Sequence, residues 1–337
     1  MRNNFISFIL LLSLINASGQ HVKSVFDCIN EAEGIPVIKI ETTWSKLINQ
    51  KLDEAYIPAK VEIPGPGGKT LTFDAKVRAR GMMRKQVCFF PPIKIDFKKG
   101  DLLKSSLDTA TDKVKVVFQC RTGAVNSEYL VKEKLCYDLY KIINPEVNVR
   151  VKQVKYECIE NGKTKYSLEG LIVEDEAVLA ERYHGKVIDV GKVGIGSMDK
   201  DIYQRMTVFQ YMIANTDWSI PNKHNTEMIK VPNIAKVVPI AYDFDYAGLV
   251  GTPYAVPYET LPITSVFERY FMGHGVTEAD ALALGKYFLE KKPELLKAVA
   301  DVQGLDEKGK ASVNKFLSPF FDIVASEKQI KRTFINE

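Results

Sequence analysis

The chain has 337 residues, of which 46% are hydrophobic and 26% are charged, and its formal net charge is +4 at pH 7. This length allows one large unit or two closely packed ones, and the dispersed basic residues lack the footprint of a nucleic-acid-binding protein. The four histidines and five cysteines form neither a CxxC pair nor an HExxH motif, which argues against a zinc hydrolase.

Residues 1–19 are typical of a secretory signal peptide. Arg2 supplies the positive start, residues 5–15 are nearly all apolar, and residues 17–19 are small enough for a cleavage site. The apolar run is short for a membrane span. We therefore expect an exported protein, periplasmic or extracellular, with no membrane span. Because the number of cysteines is odd, at least one thiol must be free or intermolecular.

The first half of the chain has the alternating pattern of β-strands, followed by one amphipathic helix. Basic side chains share one face of two strands: Arg78 and Arg80 on the first, and Lys94 on the second. Glu133 falls within the apolar face of the helix. Its carboxylate either forms the ion pair that fixes a kinase phosphate-binding lysine or reaches solvent at the edge of that face. The predicted strands are 37–44, 59–63, 70–80, 91–97 and 113–119, and the helix is 127–143.

The second half is mainly helical. A hairpin at 147–158 and 166–173, joined through Asn161-Gly162, leads to helices at 175–183 and 199–214. A pair of short strands follows, at 226–231 and 235–241, and further helices are predicted at 263–271, 279–291, 293–302 and 311–326. This order predicts an α+β protein with a β-rich lobe at 20–174, a mainly helical lobe at 175–337 and a cleft between them.

Two polar loops begin the helical half. Asp217 and Asn222 follow the helix 199–214 with the spacing D-x-x-x-x-N, and Asp243-Phe244-Asp245 ends the second short strand. Phosphoryl transfer of the kinase type needs an Asp that orients the acceptor hydroxyl, with an Asn and a second Asp that hold metal ions. Taken singly, each motif also suits an ordinary turn.

The chain resembles the CotH-type secreted kinases, and more loosely the HipA-like kinases, over roughly residues 75–250. The segments that carry the resemblance are Val77-Arg78-Ala79-Arg80-Gly81 (R-x-R-G), Pro92-Ile93-Lys94-Ile95-Asp96-Phe97 (K-P-Y-K-L-K-F), Leu130 to Leu139 (M-R-N-K-L-A-Y-D-L), Gly170 to Glu174 (G-x-Y-x-x-x-E), Tyr242-Asp243-Phe244-Asp245 (W-D-L-D) and Asn215-Thr216-Asp217 (N-T-D).

The resemblance implies a two-lobed, protein-kinase-like fold. It makes Lys94 the phosphate-binding lysine and places Arg80 over the nucleotide phosphates, with Glu174 in the segment after the hairpin. Three departures stand out. Met82-Met83-Arg84 replaces a Gly-Asn-Ser run, and Glu133 replaces an Asn. The family's His-Asn pair corresponds to His224-Asn225, three residues beyond the Asn222 that spacing selects.

The leading hypothesis is a phosphotransferase that moves the γ-phosphoryl of ATP to a hydroxyl of a protein Ser or Thr, or of a glycan. Asp217 would orient the acceptor; Asn222 or Asn225 would bind Mg²⁺ or Mn²⁺ with Asp243, and Asp245 would bind a second ion. If the strands 226–231 and 235–241 pair, Asn225 lies close to Asp243, which favours Asn225 over Asn222. We expect Lys94, Asp217 and Asp243 to converge on one cavity. The alternatives are a non-catalytic binding protein and a glycan hydrolase that uses Asp217 and Asp243 as an acid pair.

Overall fold

The computed structural model describes residues 22–188 and 194–335, so the predicted signal peptide lies outside the described residues. The strands are β1 Val37–Thr42, β2 Ile57–Pro64, β3 Thr70–Ala79, β4 Ile93–Phe97, β5 Lys113–Phe118, β6 Val151–Glu160, β7 Lys163–Val173, β8 Lys186–Val187, β9 Thr226–Lys230 and β10 Val238–Ala241. The helices are α1 Val25–Asn30, α2 Trp44–Asn49, α3 Met83–Val87, α4 Lys99–Lys104, α5 Ala124–Ile143, α6 Glu176–Arg182, α7 Lys200–Met212, α8 Glu278–Asp301, α9 Glu307–Val324 and α10 Glu327–Phe334.

Strands β1 to β7 form a closed barrel in the order β1-β2-β3-β4-β5-β7-β6. Every neighbouring pair is antiparallel except β1 and β6, which run parallel and close the barrel. Alternate side chains of a strand point to opposite faces, so each strand places one apolar set inside. Phe73, Val77, Ile95, Val116 and Tyr156 belong to this buried interior.

The expectation of a two-lobed, protein-kinase-like fold is wrong. The β-rich part of the chain is a closed seven-stranded barrel within a mixed α/β chain. The closure depends on β1, which pairs with β2 through residues such as Ile40 and Val61 and with β6 through Ile38 and Tyr156. Because this second pairing is parallel and joins residues more than 100 positions apart, local alternation gave no sign of it.

Helix α5 joins the barrel to the helical part of the chain. It packs against β6 and β7 on one side and against α7 and α8 on the other. Its buried residues Leu130, Leu135 and Leu139 share a second apolar core with Leu171 of β7 and Phe209 of α7. One helix therefore carries Glu133 to the boundary between the barrel and the helical part.

The second sheet is small, with the strand order β10-β9-β8. The Asp217 loop precedes β9 and the Asp243 loop follows β10. The predicted pairing of 226–231 with 235–241 is confirmed, since Thr226 lies opposite Ala241. The turn after Asp245 is bound to the end of α7, because Gly248 N donates to Ala214 O at 3.0 Å. A Cβ on Gly248 would lie 2.2 Å from Val266 O, so only glycine fits this crossing.

The predicted helix at 263–271 is wrong. Residues 251–276 contain neither helix nor strand. Glu268 accepts hydrogen bonds from the N–H groups of Thr264 and Ser265, which stabilises a turn instead. The two helices predicted at 279–291 and 293–302 are one helix, α8, that continues through Pro293. Among the described residues, no helix is both long and apolar enough to cross a membrane.

Candidate active site

Asp217 lies in the loop that follows α7, and three side chains bind its carboxylate. His224 Nε2 lies 2.8 Å from Oδ1, and Tyr258 Oη donates to the same oxygen at 2.6 Å. Asn225 Nδ2 donates to Oδ2 at 2.9 Å and to the backbone oxygen of Asp217 at 2.7 Å. The side chain of Asp217 is 14% exposed. The carboxylate is therefore held in one orientation while its edge remains accessible.

The hairpin of β9 and β10 places Asn225 beside Asp243. Tyr242 N donates to Asn225 O at 3.2 Å where the two strands end. Asn225 and Asp243 both have left-handed backbone conformations, with φ of 51° and 59°, which Asn and Asp adopt more readily than most residues. Asn222, the alternative selected by spacing, is exposed on the loop. Asn225 therefore binds Asp217 directly and stands at the strand end that leads into Asp243, whereas Asn222 is exposed.

Asp245 is buried and faces the barrel. Tyr254 Oη donates to its Oδ2 at 2.9 Å, and Arg84 Nη1 lies 3.9 Å from the same oxygen. Burial raises the pKa of Asp245 well above its usual value, and the negative charge of Asp243 raises it further. Both causes disfavour the ionised form of the Asp245 carboxyl.

Arg84 is the partner of Glu133. Its Nη1 donates to Glu133 Oε2 at 3.0 Å, and its Nη2 donates to Phe118 O at 3.0 Å. The side chain of Glu133 is only 3% exposed, so the solvent-edge interpretation of this residue is excluded. Burial raises the pKa of Glu133 to about 7, although Arg84 acts in the opposite direction. The cation paired with Glu133 is therefore Arg84, and not the lysine candidate Lys94. The ion pair joins α3 to α5.

A disulfide fixes the segment that carries Arg84. Cys88 follows α3 directly and is bonded to Cys120, which follows β5. Phe90 N also donates to Cys120 O at 3.2 Å. The other three cysteines, Cys28, Cys136 and Cys158, are free and buried. The disulfide therefore ties the position of Arg84 to the barrel strand whose last carbonyl it binds.

The carboxylates of all three aspartates act on one tyrosine, Tyr246. Burial raises the pKa of Tyr246 to about 12, and the carboxylates of Asp245, Asp217 and Asp243 all contribute. Asp243 is also close to Glu133, whose pKa it raises. The cluster therefore combines four carboxylates with one buried cation, Arg84.

A small cavity lies between the barrel and the second sheet, and one phosphate-binding candidate, Arg80, lines it. It encloses about 30 Å³, room for one or two water molecules. Its charged lining residues are Arg80, Lys115, Glu133, Glu174, Glu227 and Asp243. We call it the central cavity. The pKa of Glu227 is raised to about 7, mainly by burial and secondly by the negative charge of the neighbouring Glu176. Glu227 resembles Glu133 in this respect.

Lys94 does not line the central cavity. It lies directly opposite Arg78 on β3 and Lys115 on β5, on the outer face of the barrel. It is half-buried, and burial lowers its pKa. Lys115 occupies the cavity instead, 3.1 Å from Asp175. The expected convergence of Lys94, Asp217 and Asp243 on one cavity is thus not what the structure shows. Of the three, Asp243 lines the central cavity, together with the basic residues Arg80 and Lys115.

Glu174 is held by two arginines. Its carboxylate accepts hydrogen bonds from Arg150 Nε at 2.8 Å and Arg182 Nη2 at 2.8 Å. Arg150 N donates to it as well, at 2.9 Å. With its acceptor positions occupied in this way, the carboxylate fixes the segment between β7 and α6.

A second, larger pocket lies on the other side of the Arg84–Glu133 ion pair. It has a volume of about 360 Å³ and is mostly apolar. Arg84, Arg121, Tyr129, Glu133 and Tyr254 line it. We call it the outer pocket. Glu133 lines both cavities, so the ion pair separates the outer pocket from the central cavity.

Several residues of this site were not expected from the sequence. Lys115 carried a usable signal, because it alternates with apolar residues in the strand directly before α5. Arg84 carried none, since its partner lies 49 positions away. Tyr254 and Tyr258 follow the Asp243 loop without helical or strand periodicity. Their role depends wholly on the path of residues 251–276.

Within residues 22–188 and 194–335, no group of three or more His, Cys, Asp or Glu side chains is placed to hold a metal ion. No model of a known protein family matches the sequence, and no curated protein matches it.

Proposed function

We propose that this chain is an exported phosphotransferase that moves the γ-phosphoryl of ATP to the hydroxyl of a protein or glycan acceptor. The observation that carries the proposal is the geometry of two neighbouring polar loops. Asn225 binds the Asp217 carboxylate and ends the strand pair that leads into Asp243, and Asp245 lies 3.9 Å from Arg84 of the buried Arg84–Glu133 ion pair. The resemblance to CotH-type kinases at these residues adds support. The closed barrel does not oppose it, because an activity depends on the site and not on the fold class.

Asp217 is the candidate for the group that orients the acceptor. An acceptor hydroxyl must lie within hydrogen-bond reach of the group that takes its proton, about 2.6–3.2 Å. Oδ1 of Asp217 already accepts a hydroxyl hydrogen bond in that range, from Tyr258. His224, whose side chain is 40% exposed, lies against the same oxygen and can carry a proton onward to solvent.

The proposed ligands of Mg²⁺ or Mn²⁺ are oxygen donors of two aspartates and one asparagine. Asp243 and Asp245 supply oxygen ligands, and Asn225 uses its Nδ2 for Asp217, which leaves its carbonyl oxygen for a metal. Mg²⁺ at nucleotide sites is typically bound by one or two carboxylates, waters and the phosphates themselves, so a cage of three acidic residues is not required. A divalent cation would neutralise charge on the transferred phosphoryl group, and it would also relieve the repulsion that raises the pKa of Asp245.

The phosphates would lie against the cations of the central cavity, Lys115 and Arg80. The 30 Å³ cavity is too small for a nucleotide, so binding must widen it. Two contacts connect α6 to its neighbours. Lys115 of β5 binds Asp175, which caps α6, and Glu227 of β9 lies beside Glu176 of α6. We expect these contacts between the barrel, α6 and β9 to separate when ATP enters.

Thermal unfolding of the purified chain with ATP and MnCl₂ tests the proposal. A ligand that binds the native state at 100-fold its Kd adds about 2.7 kcal/mol of stability. We expect a clear rise in Tm with both components, a loss of that rise in Asp243→Ala, and its retention in Asp217→Asn. Transfer of ³²P should be lost in both variants.

Asn225→Ala and Asn222→Ala form a matched pair for the metal assignment. Of the two, Asn225 hydrogen-bonds Asp217 and Asn222 is exposed, so only the replacement of Asn225 should weaken Mn²⁺-dependent ATP binding. A chain with no Tm response to ATP and Mn²⁺ would refute the phosphotransferase proposal.

A second candidate is a non-catalytic binding protein. The small central cavity favours it, as does the exposed Met82, 82% accessible, at the place where the family has small residues. Export to a compartment expected to lack ATP also supports it. The same Tm measurement separates the two, since this candidate predicts no ATP response. Both agree with export, which the Cys88–Cys120 disulfide supports because disulfides persist in oxidising compartments.

A further inference from the structure

Tyr258 occupies the position that an acceptor hydroxyl needs. Its Oη lies 2.6 Å from Asp217 Oδ1 and donates to it. The residue as a whole is 50% exposed, so the ring is not fixed in a packed core. Burial of the hydroxyl and the hydrogen bond to Asp217 raise the pKa of Tyr258 to about 12, which keeps the phenol protonated until a base accepts the proton.

The segment that carries Tyr258 is attached to the carboxylate cluster at a second point. Tyr254, four residues earlier, donates to Asp245 at 2.9 Å, and Thr252 Oγ1 donates to Asp245 O at 2.8 Å. Both tyrosine hydroxyls of residues 252–258 therefore point to the aspartates of the site. Beyond these contacts the segment has neither helix nor strand, and Val256, between the two tyrosines, is 64% exposed.

The surroundings of Asp217 provide a path for the proton. Oδ1 of Asp217 contacts both Tyr258 Oη and His224 Nε2, the latter at 2.8 Å. Asp217 Oδ1 is therefore within hydrogen-bond reach of the Tyr258 hydroxyl as the acceptor of its proton. Asn225 holds the other carboxylate oxygen, so the carboxylate keeps its orientation during the transfer.

We propose that Tyr258 is an acceptor of the phosphoryl group that this site transfers, so that the chain phosphorylates its own Tyr258. The inference rests on the proposed function. In the reaction, Tyr258 Oη forms a bond to the γ-phosphorus of ATP, and the bond from that phosphorus to the β,γ-bridging oxygen breaks. The phenol proton goes to Asp217, and ADP leaves with the bond electrons; no oxidant or reductant is involved.

The product differs from the reactant in charge. A phosphotyrosine carries between about −1.5 and −2 at pH 7, and it would stand beside Asp217 and near Asp243. Repulsion between these groups should move residues 252–258 away from the site. One phosphate per chain is therefore expected, and the reaction should not be repeated on the same segment.

The test is incubation of the purified full chain with [γ-³²P]ATP and MnCl₂, followed by mass spectrometry of its peptides. We expect about one phosphate per chain on Tyr258, absent in Tyr258→Phe and in Asp217→Asn. Tyr270→Phe is the matched control, because Tyr270 is also exposed, at 37%, but it has no hydrogen bond to the cluster. The rate per chain should be independent of protein concentration, because acceptor and base belong to the same molecule.

Parallel measurements separate this inference from the function on which it rests. Mn²⁺–ATP binding is followed by Tm, and transfer to an added acceptor is followed with dephosphorylated casein. An unmodified Tyr258 in a chain that binds Mn²⁺–ATP overturns the inference, and labelled casein in that experiment leaves the proposed function standing. Phosphate on Tyr258 in Asp217→Asn, or a rate that rises with protein concentration, also overturns it. Absence of Mn²⁺–ATP binding overturns both.

Discussion

The buried ion pair between Arg84 and Glu133 gives the sharpest test of the site's electrostatics. The substitution Arg84→Met keeps the apolar stem of the side chain and removes its charge. It leaves Glu133, 3% exposed, without its partner at 3.0 Å, and removes the cation 3.9 Å from Asp245. Breaking a buried ion pair in this way typically costs about 3–5 kcal/mol.

The cost should depend on pH. The pKa of Glu133 is about 7 with Arg84 present, and it must rise further when the cation is removed. At pH 5.5 the carboxyl of the variant is therefore neutral, and the cost should fall to about 1–2 kcal/mol, mainly the lost hydrogen bonds. At pH 8 the full cost is expected. The Glu133 carboxyl of the variant must then either stay ionised without a partner or bind a proton at an unfavourable pH.

Denaturant unfolding at pH 5.5 and pH 8 measures both values. Arg78→Met is the matched control: Arg78 pairs with Glu54, whose side chain is 40% exposed, and exposed pairs contribute only about 0–1 kcal/mol. Adding Glu133→Gln to Arg84→Met should recover much of the loss at pH 8. If Arg84→Met costs no more than Arg78→Met, or costs the same at both pH values, the buried-pair reasoning is refuted.

Two further predictions concern stability. The folded-state pKa values of Glu133 and Glu227 are raised to about 7, above the usual value near 4.3, so the folded chain holds protons that the unfolded chain releases. The free energy of unfolding should therefore fall as pH rises from about 5 to 7, by up to about 3 kcal/mol per group. Mn²⁺ should reduce this fall. A Tm that does not change with pH would contradict the raised pKa values of Glu133 and Glu227. Replacing both Cys88 and Cys120 by Ser removes a disulfide that links residues 32 positions apart, which should cost roughly 3–4 kcal/mol of stability. The cost is measured as a shift in the denaturant midpoint. A reducing agent should produce the same shift in the native chain and no shift in the variant.

The sequence by itself determined several local elements. Asn161 and Gly162 both adopt positive φ, 54° and 72°, which is the backbone that a tight hairpin between β6 and β7 requires. Asp199 caps α7 by accepting a hydrogen bond from Ile202 N, and the apolar stripe of that helix was visible in its spacing. The pairing of β9 with β10 was also predicted correctly, and it explains why Asn225 lies beside Asp243. In each case the interacting groups are near in sequence, so composition and periodicity were sufficient.

Tertiary structure decided the closure of the barrel and the composition of the site. The parallel pairing of β1 with β6, the ion pair of Arg84 with Glu133 and the hydrogen bond of Tyr258 to Asp217 join residues far apart in the chain. Such contacts form because packing brings distant parts of the chain together; for the buried Arg84–Glu133 pair, each polar group must also find a partner. Local patterns identified Asp217 and Asp243 as candidates. Only the folded chain selected Lys115 over Lys94 for the central cavity and placed two tyrosines on the aspartates.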